Sequence, residues 1–421
     1  MSVYYDTQKI FVINKMGGGL IQLATKGAQD VYLSGDPDIT FFKAVFNKHT
    51  NFARENIPVF FDKTFENGTK VTATIGRNAD LISKMFLTFK TNEIKTAGGA
   101  GRYITDRRYS TYIDYIDILI GGNVIDRQYG DFLDTWHDLT TTDDKMGGKH
   151  HNPQRNQVNT NFEEQLRSGT LEMMGNNLGT YNTSNDSTFV ITIPLNFWFN
   201  KNTGTALPLI ALQFHQVTIE VNFKPLLSQD VNRGGNTLGE GTTSDEKLLV
   251  DYFYLDSNER KIFSDQQHEY LIEQIQMEDN STITNTAAGA TNVCDFYFNH
   301  PVKELIWKLY DSSNNPITRF DFANISLNGT DLTNPHPSYN FSFIEPLKFH
   351  TRIPPKGDIF LHSFALKPED PQPTGSMNFS RIEKANLIVK SENVAINSII
   401  IYGINLNILR IQSGLGALAF S

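Results

Sequence analysis

Cysteine is almost missing: Cys294 is the only one in 421 residues. No disulfide can form within the chain, and no zinc site built on several cysteines is available. That usage fits assembly in a reducing compartment. Runs of one charge are missing too. The formal net charge is −9 and the sequence pI is about 5.6. No Lys/Arg run is longer than a pair such as Arg107-Arg108, whereas a nucleic-acid binder is expected to carry a basic patch or stripe. Direct contact with a genome is therefore not expected. No run of about 18 apolar residues occurs, so no transmembrane helix is expected. The first residues lack the basic-then-apolar pattern of a signal peptide.

Signatures of catalysis are equally scarce. There is no GxSxG, no P-loop and no GxGxxG after a strand-like segment. The glycine-rich run from Ala97 to Gly101 lacks the lysine and Ser/Thr of a phosphate cradle. His150 and His151 lie in a polar stretch without HExxH spacing and read as loop histidines. Asp36 and Asp38 flank a proline, but the rest of an EF-hand is absent. The pairs Asp143-Asp144 and Glu163-Glu164 are carboxylates of the kind a glycosidase uses, and they read as solvated loop charge. Cys294 sits in an apolar stretch and reads as a small hydrophobe. Asn-x-Ser/Thr sequons at Asn67, Asn182, Asn185, Asn280, Asn324, Asn328, Asn340 and Asn378 read as coincidence in an Asn- and Thr-rich chain. No catalytic residue, cofactor or metal is expected.

What is abundant points to strands. Aromatics make up 12% of the chain, with 30 Phe and 16 Tyr, and there are 30 Gly. Aromatic and β-branched residues favour strands, and glycine favours turns. The chain is also too long for one ordinary core, so two domains are expected. Alternation or apolar runs predict strands at 57–61, 70–75, 81–89, 112–120, 188–199 and 217–223. Gly121-Gly122 marks a hairpin turn, and 131–139 reads as a short amphipathic helix. The polar stretch 140–186 reads as a surface excursion. Residues 225–247, with a Gly-Gly pair and GEGTTSDE, read as a linker. Beyond it come a strand at 248–255, a helix then a strand in 256–277, and strands at 294–298, 305–310, 319–327, 359–366, 385–389 and 399–409. Two faint echoes suggest duplication. Asp117–Asn123 resembles Ala323–Gly329, and Thr203-Gly204 before one strand resembles Thr374-Gly375 before another.

The stretch from Met16 to Arg54 stands apart. Asp36 is a natural N-cap, Pro37 suits the first helical position, and Asp38 suits the helix dipole. Ile39, Phe42, Val45 and Phe46 recur at helical spacing, which predicts an apolar helix starting at Asp36.

This stretch, GGGLIQLATKGAQDVYLSGDPDITFFKAVFNKHTNFA, resembles the amino-terminal signature of the major capsid proteins of nucleocytoplasmic large DNA viruses. The stretches LLVDYFYLDSNERKIFSDQQHEYLIEQIQ, FNHPVKELIW, HSFALKPEDPQPTGSMNFSRIEKANL and YGINLNILRIQSGLGALAFS are similar to the same family, in family order. The resemblance implies an all-β fold of two tandem eight-stranded jelly rolls. On that basis residues 1–25 are an arm, 26–224 the first jelly roll, 225–247 a linker and 248–421 the second. It implies homotrimeric, pseudo-hexameric capsomers that tile an icosahedral virion shell assembled in the host cytoplasm. The implied partners are neighbouring capsomers, minor capsid and penton proteins, and surface glycans. An internal membrane would be met only through minor proteins, and nucleic acid not at all. Gly17, Gly18 and Gly19 are then expected as a hinge, with Asp36, Phe42 and Val45 on an inner-face helix packed on the first barrel. Two other functions compete: a tandem β-sandwich that binds glycans or a receptor, and a β-sandwich glycosidase using Glu163 or Glu164.

Overall fold

In a computed structural model of the chain, residues 18–65, 68–92, 109–141, 188–224, 243–280, 283, 288–354 and 357–420 are described. Residues 1–50 and 51–421 form two separate units. In the first, Gly18–Ala24 and Val31–Ser34 are short helices without a buried residue. Gly18 and Gly19, two of the expected hinge glycines, open the first of these helices, and Gly17 lies outside the described residues. The helix expected from Asp36 is absent. Asp36 has φ +47°, a left-handed turn rather than an N-cap. Phe42 is 98% exposed and Val45 79%. A short helix is marginal without a packed face, and 18–50 bury no apolar side chain of their own.

The second unit holds two sandwiches built from antiparallel pairs. The first sandwich uses β1 (Phe52–Phe60), β2 (Lys70–Ile75), β3 (Leu81–Asn92), β4 (Ile113–Ile120), β5 (Asn123–Tyr129), β6 (Thr188–Pro194), the two-residue β7 (Leu207–Pro208), β8 (Val217–Phe223) and β9 (Thr243–Leu255). They form sheets in the orders β1-β9-β3-β6, with β7 on β3, and β2-β8-β4-β5. The second uses β10 (His268–Asn280), β11 (Thr291–Phe296), β12 (Pro301–Tyr310), β13 (Phe322–Leu327), β14 (Thr330–Asp331), β15 (Phe360–Ser363), β16 (Met377–Asn378), β17 (Ala385–Lys390), β18 (Ser398–Gln412) and β19 (Leu415–Leu418). Its sheets run β10-β18-β12-β15, with β16 on β12 and β19 on β18, and β11-β17-β13-β14. Each sandwich thus has a jelly-roll frame of eight strands in two four-stranded sheets, to which β7 is added in the first and β16 and β19 in the second.

The two orders superimpose strand for strand, and β7 and β16 even add to the same position. The sequence echoes are therefore a true structural repeat. Asp117–Asn123 and Ala323–Gly329 are the β4–β5 and β13–β14 hairpins. Both turn through two residues at positive φ: Gly121 (60°) and Gly122 (85°), Asn328 (50°) and Gly329 (78°). Two-residue hairpins prefer that twist, which Gly and Asn adopt at least cost.

Alternation sends Val71, Ile75, Leu87, Phe89, Ile118, Ile219, Leu248 and Val250 into the first core. Phe296, Leu305, Trp307, Ile325, Phe360 and Leu387 fill the second. Two boundaries differ from expectation. The first sandwich begins at β1 rather than at residue 26. Strand β9, expected to open the second sandwich at Leu248, pairs with β1 and β3 of the first. Its Leu248, Val250 and Tyr252 join the first core, so apolar complementarity, rather than the glycine-rich stretch before it, decides its side. The expected linker is a strand from Thr243, and 225–242 lie outside the described residues. The helix at Ser257–Asp265 follows as expected.

Candidate assembly site

Among the described residues, a dense set of paired polar and charged side chains lies where the two jelly rolls meet. The helix Gly130–Thr140 leaves the first sandwich after β5. A side chain at Gly130 would strike the Ile113 carbonyl, with a Cβ only 2.2 Å from its oxygen, so this tight start requires glycine. Leu133 points back into the first core. Phe132, Trp136 and Leu139 point the other way, onto Ile306, Ile359, Leu361, Tyr402 and Ile404 of the second sandwich. Phe132 stacks on Trp136 at 6.0 Å and meets Tyr402 at 5.5 Å. The Lys201 ammonium sits 4.6 Å above the Trp136 ring, a cation–π contact.

Buried polar pairs set the register of this apolar seam. Asp131 accepts from Lys308 Nζ at 2.8 Å and from the Tyr402 hydroxyl at 3.1 Å. Burial disfavours both charges, but each stabilises the other. The Asp131 carboxyl is held below its ordinary range and the Lys308 ammonium above its own. Asp126 accepts from the Ile275 amide of β10 at 3.1 Å. Its burial pushes its pKa up to about 7, against the pull of that amide. Gln274 donates to the Ile125 carbonyl. Glu273 of β10 takes Lys201 at 2.6 Å and also Lys303. Asp134 accepts from Ser110, and burial raises its pKa to about 6.

A third group braces the far end of the helix. His350 is fully buried between Glu304, 2.6 Å from Nε2, and Glu369, 3.0 Å from Nδ1. Its ring meets Trp136 edge-on at 6.1 Å. The Arg352 amide donates to the Leu139 carbonyl at 2.9 Å. On the other side, Leu409 and Ile411 of β18 reach into the first core together with Ile272. Phe214 donates its amide to the Gly414 carbonyl at 3.0 Å.

Asp131 with Lys308, Glu273 with Lys201 and Lys303, and His350 with Glu304 and Glu369 pair opposite charges at the seam, which suits cohesion. Among the described residues no cluster of His, Cys, Asp and Glu could hold a metal. Burial pushes the Cys294 thiol up to about 11, so it is an unreactive packing residue. Asp143, Asp144, His150, His151, Glu163 and Glu164 lie outside the described residues. The expected assembly residues Gly18, Gly19, Asp36, Phe42 and Val45 belong to the first unit. Sequence reasoning missed Asp131, Trp136, Lys308 and Tyr402. The available signal was DFLDTWHDL itself: Leu133 and the Phe132/Trp136/Leu139 set give one helix two apolar sides, one more than a single sandwich can cover.

Two family models match the chain. "Major capsid protein N-terminus" covers residues 40–256 and "Large eukaryotic DNA virus major capsid protein" covers 259–417. Their junction coincides with the end of β9. The chain is 37% identical to the major capsid protein of Pyramimonas orientalis virus, over 96% of this chain and 100% of that one. It is 32% identical to that of Paramecium bursaria Chlorella virus 1, again over 96% and 100%. Among solved structures, PBCV-1 VP54, fitted into a reconstruction of the virophage Sputnik, matches with TM-score 0.72 and 28% identity. That match covers 91% of this chain and 100% of the other. The Faustovirus major capsid protein shares the fold at TM-score 0.64 and 9% identity. The glycan-binding alternative gains no support from these relatives.

Proposed function

The chain belongs to the major capsid proteins of large eukaryotic DNA viruses, and from that membership we propose that three copies close into a pseudo-hexameric capsomer. It is a structural protein of the virion capsid. The observation that carries the trimer is the repeat: two jelly rolls of identical strand order in one chain. Three such chains present six similar sandwiches to their neighbours. A head-to-tail contact that closes by rotation needs the same patch pair at every step.

The finer reading follows from the same premise. The capsomers tile an icosahedral shell assembled in the host cytoplasm, beside minor capsid and penton proteins. An internal membrane is met through those minor proteins, and glycans decorate the outer loops. Its role is structural rather than catalytic, a reading supported by its capsid-protein relatives. Size-exclusion chromatography with light scattering, with electron microscopy of the same fraction, tests the trimer. Hexagonal particles of about three chain masses are expected. A monomer at high concentration with no such particles would refute the proposal.

A further inference from the structure

The jelly rolls repeat one another, yet only one of two equivalent contacts is made within the chain. Gly130–Thr140 follows β5 and covers the outer face of β10-β18-β12-β15. At the same place in the second sandwich, after β14, a π-turn Asn340–Ile344 runs into the helix Glu345–Phe349. Its inner side is anchored in its own sandwich. Phe341 is buried 5.1 Å from the Trp307 ring, and the buried Glu345 pairs with Lys348 at 3.0 Å and His362 at 3.5 Å. Its outer side carries Tyr339, Phe343 and Leu347 at four-residue intervals. These are 59%, 49% and 60% exposed, whereas Phe132, Trp136 and Leu139 on the first helix are 1%, 8% and 0% exposed.

A matching surface exists on the first sandwich. In the second, the row covered by the helix crosses the sheet as Met277–Tyr402–Ile306–Leu361. On the outer face of β1-β9-β3-β6 an apolar row crosses in the same strand order: Pro58–Leu249–Phe86–Pro194. Phe60 lies beside it and is 65% exposed. Single exposed apolar residues are ordinary, but contiguous ones on repeated structure mark an interface.

We propose that residues 339–349 of one copy dock on the outer face of β1-β9-β3-β6 of the next copy. The proposal rests on the trimer reading and names the surfaces that make it. The contact is heterologous. First-sandwich helix meets second-sandwich sheet within a chain, and second-sandwich helix meets first-sandwich sheet between chains. Alternating them through three copies closes a ring of six.

Two double variants test it, each altered only at exposed positions. Phe343→Asp/Leu347→Asp spoils the helix face, and Pro58→Asp/Phe60→Asp spoils the sheet face. Circular dichroism and thermal melting check that each remains folded. Sedimentation velocity should show a trimer for the unaltered chain and a monomer for each variant alone. Mixed together, the variants retain one sound helix and one sound sheet, so they should form a one-to-one dimer and stop there. A trimeric unaltered chain whose variants also form trimers, or whose mixture stays monomeric, overturns these surfaces and leaves the trimer standing. A monomeric unaltered chain overturns both. If a variant unfolds, hydrogen exchange on the unaltered trimer and on its diluted monomer decides. Protection gained on assembly in 52–60 and 339–349 supports the docking, and unchanged exchange there refutes it.

Discussion

Raising the pH from 6.5 to 9 should weaken the folded chain through one side chain, His350. Burial works against its imidazolium, but Glu304, and then Glu369, outweigh burial and raise its pKa to about 9 from 6.5. A group whose folded pKa is raised stabilises fully below its unfolded value, and that stability is lost as pH rises through the folded value. The gap from 6.5 to about 9, at about 1.4 kcal/mol per pH unit, is worth about 3 kcal/mol. Both His350 and Glu304 side chains are fully buried, so solvent screens the pair little. The other raised groups change stability little across the window. Asp126, at about 7, and Asp134, at about 6, release their contribution mainly below it. Cys294 moves from 9 to about 11, above it. Urea unfolding at intervals from pH 6.5 to 9.5 measures the effect, with the slope m checked for constancy. The unaltered chain should lose about 3 kcal/mol across the window, and His350→Gln should be less stable at pH 6.5 and nearly flat. Parallel decline in both proteins would refute the assignment of this charge to His350.

Lys308→Met should leave the part-buried Asp131, 23% exposed, without its cation and cost about 1.5–3 kcal/mol, while the double variant Asp131→Asn/Lys308→Met should recover most of that. Calorimetry on the three variants checks it, and equal losses in single and double variants would contradict a coupled pair. Phe42→Asp should change stability by less than about 0.5 kcal/mol, because the side chain is 98% exposed. A large drop in melting temperature would show that Phe42 is buried in the folded protein.

The strands are legible in the sequence because each sandwich buries one face of each sheet, which imposes the two-residue period. Val217, Ile219, Val221 and Phe223 show it plainly and all lie in the first core. The repeat is barely legible, because hairpin geometry constrains only turn residues such as Gly121-Gly122 and Asn328-Gly329 while core positions accept any apolar side chain of suitable volume. The Asp36 helix fails for the opposite reason: local capping and spacing are right, but helices of that length depend on packing. The sandwich boundary is misplaced because glycine-rich composition reports local backbone freedom, while β9 is placed by pairing with strands more than 150 residues earlier. The seam is the least legible part. Asp131 and Lys308 lie 177 residues apart, and nothing local to either announces the other.

The seam also explains how a chain of two sandwiches can serve as one rigid building block. Strand β18 runs from Ser398 to Gln412, about 50 Å at about 3.4 Å per residue. Ile399 and Ile401 pack in the second core, Tyr402 and Ile404 under the helix Gly130–Thr140, and Leu409 and Ile411 in the first core. A hinge between the jelly rolls would have to break this strand or empty one of three apolar clusters. Apolar contact alone tolerates sliding, because it is non-directional. Asp131–Lys308, Asp126–Ile275 and Glu273 with its two lysines are directional, and sliding would leave a buried charge or amide unpaired. In a closed ring every angular error at an intrachain seam must be absorbed by the contacts between chains. Fixing that angle with buried polar pairs would let the exposed Tyr339/Phe343/Leu347 stripe meet the proposed face of a neighbouring copy without further adjustment.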